Sequence, residues 1–167
     1  MELPDTEQLI GALAQQLQPY LTSNSALVGI QTGGVWVAQR LREHLGEDIP
    51  LGTLDISFYR DDFSQIGLHP QVKPSDIPFE IEGRHIILVD DVLYTGRTVR
   101  AAMNELFDYG RPASIQLAVL VDRGGRELPI AAQAVGQFLP LPSGQHLSLS
   151  RGPDGRLSLS LHESPAT

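Results

Sequence analysis

Three short segments, Ala26–Ile30, His85–Val89 and Ser114–Val121, are aliphatic almost from end to end instead of alternating with polar residues. A strand that is apolar at nearly every position has to be covered on both faces. Helical periodicity fills the chain around them. Leu9, Ile10, Leu13 and Leu17 recur at helical spacing behind a capping-box pair, Asp5 and Gln8, and Pro19 stops the run. Thr32-Gly33-Gly34 reads as a turn, followed by a helix from about Val35 to Leu45 that Gly46 ends. A third helix spans Arg97–Tyr109 and ends at Gly110. Buried strands alternating with helices predict an α/β chain, a mainly parallel sheet flanked by helices.

The remaining segments are of other kinds. Gly52–Tyr59 alternates, with Leu54, Ile56 and Phe58 on one side and Thr53, Asp55, Ser57 and Tyr59 on the other. Residues 60–78 show no period and hold three prolines, one glycine and five charged residues. Long loops of this kind inside a domain are usually lids or binding loops, so a flexible lid is expected there. In residues 144–162, Leu and Ser alternate on both sides of Gly152-Pro153-Asp154-Gly155, which predicts a C-terminal β-hairpin. No repeat or composition break divides the chain, and residues 1–167 are expected to form one domain.

Composition narrows the partners. The net charge is −8, and the cations are one lysine and eleven arginines. Such a surface repels a phosphate backbone at long range, so a phosphorylated ligand must be met locally by backbone N–H groups, arginine or Mg²⁺. The absence of cysteine excludes disulfides and thiolate metal sites and suits a reducing cytoplasm. The N-terminus lacks the pattern of a signal peptide, and no apolar run is long enough for a membrane helix.

The chemistry concentrates in Ile86–Thr98, IILVDDVLYTGRT. An aliphatic strand leads into adjacent carboxylates, a Thr-Gly-Arg-Thr turn and a helix. Ligands of open α/β sheets gather at the carboxyl ends of strands, and a helix start suits phosphate. Gly96 permits close backbone approach, Thr95 and Thr98 can donate hydroxyls, and Arg97 adds charge. Asp90 and Asp91 point to opposite faces, and the two hydroxyls of a ribose, bound directly or through Mg²⁺, would satisfy both.

VDDVLYTGRT resembles the PRPP-binding signature of type I phosphoribosyltransferases. Together with LDISFYRDD (Leu54–Asp62), IILVDDVLYTGRTVRAAM (Ile86–Met103) and GRPASIQLAVLVDRGGRELPI (Gly110–Ile130), it is similar to the PyrR family of pyrimidine operon regulators with uracil phosphoribosyltransferase activity. The resemblance implies the type I phosphoribosyltransferase fold, PRPP and uracil as substrates, Mg²⁺ as cofactor, and UMP with pyrophosphate as products. It also implies a homo-oligomer, a dimer or larger. Asp90 and Asp91 would hold the ribose hydroxyls and, mostly through those hydroxyls and water, the metal. Thr95, Gly96, Arg97 and Thr98 would hold the 5-phosphate, and Thr32, Gly33 and Gly34 the pyrophosphate. Tyr59 and Arg60 would begin the mobile loop that closes over the site, with Arg60 over the departing pyrophosphate. Tyr94, Val121, Asp122 and Arg123 would border the base. Purine-specific relatives place an aspartate where Tyr94 stands; tyrosine is a poor proton partner near neutral pH, which favours a pyrimidine.

Two departures bear on regulation and rate. Members that bind pyr mRNA carry basic residues on the first helix, whereas Thr6–Tyr20 has none and offers Gln8, Gln15, Gln16 and Gln18. Arg111, Arg123, Arg126, Arg151 and Arg156 are the remaining candidates for an RNA face. Gly33 stands where relatives often have arginine, which would weaken pyrophosphate binding. Three readings follow: a working uracil phosphoribosyltransferase, a nucleotide sensor that regulates through pyr mRNA, and a sensor that acts through a protein partner.

Overall fold

A computed structural model describes residues 2–56 and 75–164. Five strands form one sheet in which every pairing is parallel: β1 (Ser25–Ile30), β2 (Leu51–Leu54), β3 (His85–Leu93), β4 (Ser114–Asp122) and β5 (Ala134–Phe138). Their order is β2-β1-β3-β4-β5, so β3 lies at the centre. Helices α1 (Thr6–Leu17), α2 (Gly33–Leu45) and α3 (Arg97–Tyr109) flank it. The expected mainly parallel α/β architecture is therefore the observed one.

Strand alternation divides the core in two. Ile87 and Val89 of β3 join Leu9, Ile10, Leu13, Val37 and Leu41 on the side of α1 and α2. Ile86 and Leu88 face the opposite way and join Val99, Ala102 and Leu106 of α3. Each buried aliphatic side chain contributes about 1.5–3 kcal/mol relative to exposure, so both faces of the sheet are worth covering.

Several boundaries differ from expectation. The α1 helix starts behind Asp5 as anticipated, but no side-chain cap forms; the Asp5 carboxylate instead lies 3.8 Å from Arg156. Pro19 sits in a single 3-10 turn, Gln18–Tyr20. The α2 helix begins at Gly33, so two glycines assigned to a turn form its first turn instead. That start is pressed onto the sheet: a β-carbon on Gly34 would fall 2.5 Å from the Val89 carbonyl oxygen, and one on Gly29 would fall 2.7 Å from Val35 Cα. Pairing of β2 ends at Leu54, although Ile56 stays buried. Most of the expected lid, together with Phe58, Tyr59 and Arg60, lies outside the described residues. The β3 strand runs four residues past Val89, because Val92 and Leu93 still pair with Val121 and Asp122. The short β5, AVGQF, went unanticipated.

The tail forms an antiparallel hairpin of β6 (Gln145–Arg151) and β7 (Leu157–Glu163). Leu149 and Leu157 enter the core beside α1 and α2, with Leu147 and Leu159 packed against it. The other face pairs His146 with His162, Ser148 with Ser160 and Ser150 with Ser158. Arg151 lies over the Trp36 ring at 5.0 Å, which ties the hairpin to α2. Arg40 of α2 joins Glu7 of α1 at 2.6 Å, and that hydrogen bond is the main reason its guanidinium pKa is raised above the ordinary value.

Candidate active site

The acidic pair lies within the last turns of the β3 ladder, not beyond its end. Asp91 shares a face with Val89 and looks toward α2, while Asp90 shares a face with Leu88 and looks toward α3. Both carboxylates are oriented by backbone: Asp91 N–H donates to Asp90 Oδ1 at 2.9 Å, and Val92 N–H donates to Asp91 Oδ1 at 2.8 Å. Asp90 is 7% exposed. A buried acid of this kind needs a partner of its own, which its neighbouring N–H supplies in part.

Gly33 meets Asp91 directly, and Gly34 lies against the backbone of Val89 and Asp90. A β-carbon on Gly33 would fall 2.2 Å from Asp91 Oδ2, so the absent side chain is what lets the carboxylate rest on the first turn of α2. Thr32 caps that helix through its backbone, its carbonyl accepting from Val35 N–H at 3.2 Å. The start of α2, with its positive dipole end, therefore sits beside one of the two acids.

On the other side, Tyr94, Thr95 and Gly96 turn the chain from β3 into α3. Gly96 caps α3 at φ 95°, a conformation that favours glycine. Thr95 Oγ1 accepts from Arg97 N–H at 3.2 Å, and Thr98 is half-buried in the first helical turn. The turn is clamped from β4's side, where Glu127 and Leu128 N–H donate to the Thr95 carbonyl at 2.9 and 3.1 Å. Arg97 Nε donates to Glu127 Oε1 at 2.8 Å across an exposed surface.

The third cluster lies at the carboxyl end of β4. Asp122 is buried, accepting from Gly124 N–H at 2.9 Å and from Arg126 Nη2 at 2.6 Å. Arg123 is buried too, with its guanidinium 3.9 Å from the centre of the Tyr94 ring. Val121, in contrast, is wholly enclosed in the core on the α1 and α2 side. The structure thus brings together Asp90, Asp91, Thr32, Gly33 and Gly34, then Thr95 to Thr98, then Tyr94, Asp122 and Arg123.

Sequence reasoning missed Arg126 as a structural tie and placed it on a surface. Its guanidinium donates to the carbonyls of Tyr94 and Ile130, both at 2.8 Å, besides Asp122. The spacing of four residues between Asp122 and Arg126 was the available signal.

The donor set fits Mg²⁺ held mainly through ligand oxygens. No group of three or more His, Cys, Asp or Glu able to hold a metal occurs among the described residues. Two carboxylates with one backbone-bonded oxygen each suit a hard cation that keeps several waters and a phosphorylated substrate in its shell.

Comparison with known proteins agrees with this geometry. The phosphoribosyl transferase domain matches residues 2–142. The bifunctional protein PyrR of Pseudomonas fluorescens is 58% identical over 154 residues, covering 90% of this chain and 92% of its own. That of Pseudomonas syringae pv. tomato is 57% identical over 158 residues, covering 92% of each. Among solved structures, a hypoxanthine phosphoribosyltransferase from Staphylococcus aureus superposes with a TM-score of 0.63 at 22% identity, over 81% of this chain and 74% of that one. A hypoxanthine-guanine phosphoribosyltransferase from Bacillus anthracis gives 0.65 at 23% identity, over 84% and 86%. At such identities the likeness is one of fold.

Proposed function

Because the chain belongs to the phosphoribosyl transferase domain family, and within it to the PyrR proteins, we propose that it converts uracil and PRPP to UMP and pyrophosphate and regulates pyrimidine gene expression. The observation that carries this reading is the acidic pair of β3, set between the glycine start of α2 and the Thr95–Thr98 turn. Asp90 and Asp91 hold the ribose hydroxyls from opposite faces of the strand. The Thr95–Thr98 turn takes the 5-phosphate, and the first turn of α2 takes the pyrophosphate. As positive charge grows on the sugar, the two carboxylates stabilise it, while the positive end of the α2 dipole faces the departing anion. Mg²⁺, when bound, supplies positive charge to the pyrophosphate oxygens.

Uracil lies at the Tyr94 end, next to Asp122. The Tyr94 ring is packed against both Arg123 and Gly125, which supports a fixed wall there instead of a proton partner for a purine nitrogen. The whole chain acts as one phosphoribosyltransferase domain in the cytoplasm, as a dimer or larger assembly; no helix among the described residues is long and apolar enough to cross a membrane.

The test is UMP formation from uracil, PRPP and Mg²⁺. Asp90→Asn and Asp91→Asn should each lower kcat by about 10²–10³, the usual loss when one charge-stabilising group is removed. A wild type that forms no UMP, or variants as active as it, would refute the reading.

A second reading concerns how regulation is delivered. Of the five arginines that could contact RNA, Arg123 is held by the hairpin turn and Arg126 by Asp122, Arg151 lies over Trp36, and Arg111 and Arg156 are exposed. The groove along α1, lined by Gln8, Gly11, Ala12, Gln15, Gln18 and His44, contains no lysine or arginine. These observations favour regulation through a protein partner over direct capture of pyr mRNA.

A further inference from the structure

The C-terminal hairpin lies outside residues 2–142, the stretch matched by the phosphoribosyl transferase domain, yet one side chain fastens it to the base end of the site. Arg123 leaves β4 immediately after Asp122 and is only 3% exposed. Its Nη1 donates to the Gln145 carbonyl and its Nη2 to the Pro142 carbonyl at 3.2 Å, on the turn that enters β6. The flat face of the same guanidinium stacks 3.9 Å from the centre of the Tyr94 ring. That ring also rests on Gly125, where an added β-carbon would fall 2.4 Å from Tyr94 Cε1.

Burial of a cation is expensive unless its charge is met. Here the neighbouring acid is already taken, because Asp122 is bonded to Arg126 at 2.6 Å. Two backbone carbonyls and an aromatic face meet the Arg123 charge instead. Only a planar fork can serve all three at once; an ammonium has neither the reach nor the flat face. Both terminal nitrogens are thus committed to the hairpin, and Nε is buried without a partner. A guanidinium so enclosed does not reach a substrate itself.

We infer that Arg123 is a positioning residue: the hairpin turn at 142–145 holds its guanidinium, the guanidinium holds the Tyr94 ring, and the ring sets affinity for the base. This rests on the proposed placement of uracil beside Tyr94. The chain of contacts bypasses the phosphate side, whose turn is fixed separately by Glu127 and Leu128 N–H on the Thr95 carbonyl. Disturbing Arg123 therefore acts on the base and spares PRPP.

Steady-state kinetics for both substrates test this, with melting temperature measured alongside. Arg123→Met should raise the KM for uracil about tenfold, the factor expected from losing a desolvated cation–aromatic contact, while the KM for PRPP stays within about twofold. Arg123→Lys should not restore the wild-type value. Gly144→Ala reaches the same turn from outside: Gly144 has φ 98° and open space around its Cα, so the change shifts the 142–145 backbone without entering the core. It should raise the KM for uracil severalfold. If Arg123→Met does not fold, Gly144→Ala decides alone. An unchanged KM for uracil in a folded variant, or equal increases for uracil and PRPP, would overturn the inference. Failure of the wild type to form UMP is a separate result, which removes the proposed function before any variant is compared.

Discussion

At the scale of single residues, two adjacent glycines make separable demands. A β-carbon on Gly34 would meet the carbonyl of Val89, and neither backbone can withdraw without moving a strand or a helix. We predict that Gly34→Ala lowers stability by about 1–3 kcal/mol, the usual penalty of overpacking, seen as a fall in melting temperature. At Gly33 the obstacle is the end of the Asp91 side chain, which can rotate. Gly33→Ala should therefore melt within a few degrees of wild type yet form UMP more slowly, because it displaces the carboxylate that the proposed reaction uses. Equal melting and equal activity in both variants would contradict this account. The sequence reads Gly33-Gly34 as a turn, whereas the pair opens α2; that Gly33 is the landing place of Asp91 was not readable, because that contact joins residues far apart in the chain.

Elements repeat the lesson with a different cause. The central strands and α3 were legible because long, strongly periodic or continuously apolar segments leave few alternatives. The β5 strand escaped because it is short and contains Gly136, kept small by the Leu120 carbonyl, 2.4 Å from where its β-carbon would be. Its exposed edge is closed by one side chain. Gln16 of α1 donates from Nε2 to the Val135 carbonyl at 2.8 Å and accepts from Val135 N–H at 3.0 Å, standing in for a neighbouring strand. A glutamine that looked like a lost basic contact is thus part of the sheet's edge protection. Gln16→Ala should lower stability by about 1 kcal/mol and speed amide exchange at Val135 selectively. Uniform exchange across β5 would argue against that role. The capping box at Asp5 does not form: its carboxylate makes no cap hydrogen bond and stands 3.8 Å from Arg156 of the hairpin.

For the whole molecule, charge is the controlling quantity. A net charge of −8, with Arg40, Arg97, Arg126 and Arg156 each beside a carboxylate, leaves little to release counterions from a nucleic acid. RNA carrying a pyrimidine operon leader should bind weakly, with a shallow dependence of affinity on salt, measured by titration between about 50 and 200 mM. Steep salt dependence would return the case to direct RNA regulation. The fold class, the acidic pair and the Thr95–Gly96 turn into α3 were all visible in the sequence, since local motifs carry them. The internal use of Arg123, Arg126 and Arg151 was hidden, since an isolated arginine reads alike whether it faces water or a carbonyl. The hairpin has a further consequence, in time instead of space. Leu149 and Leu157, synthesised well over a hundred residues after α1, complete the core against it. The opening helix can dock on the sheet during translation, but its apolar face stays partly uncovered until β7 emerges from the ribosome. Nascent chains stalled before Leu157 should therefore hold α1 exposed to chaperones and proteases.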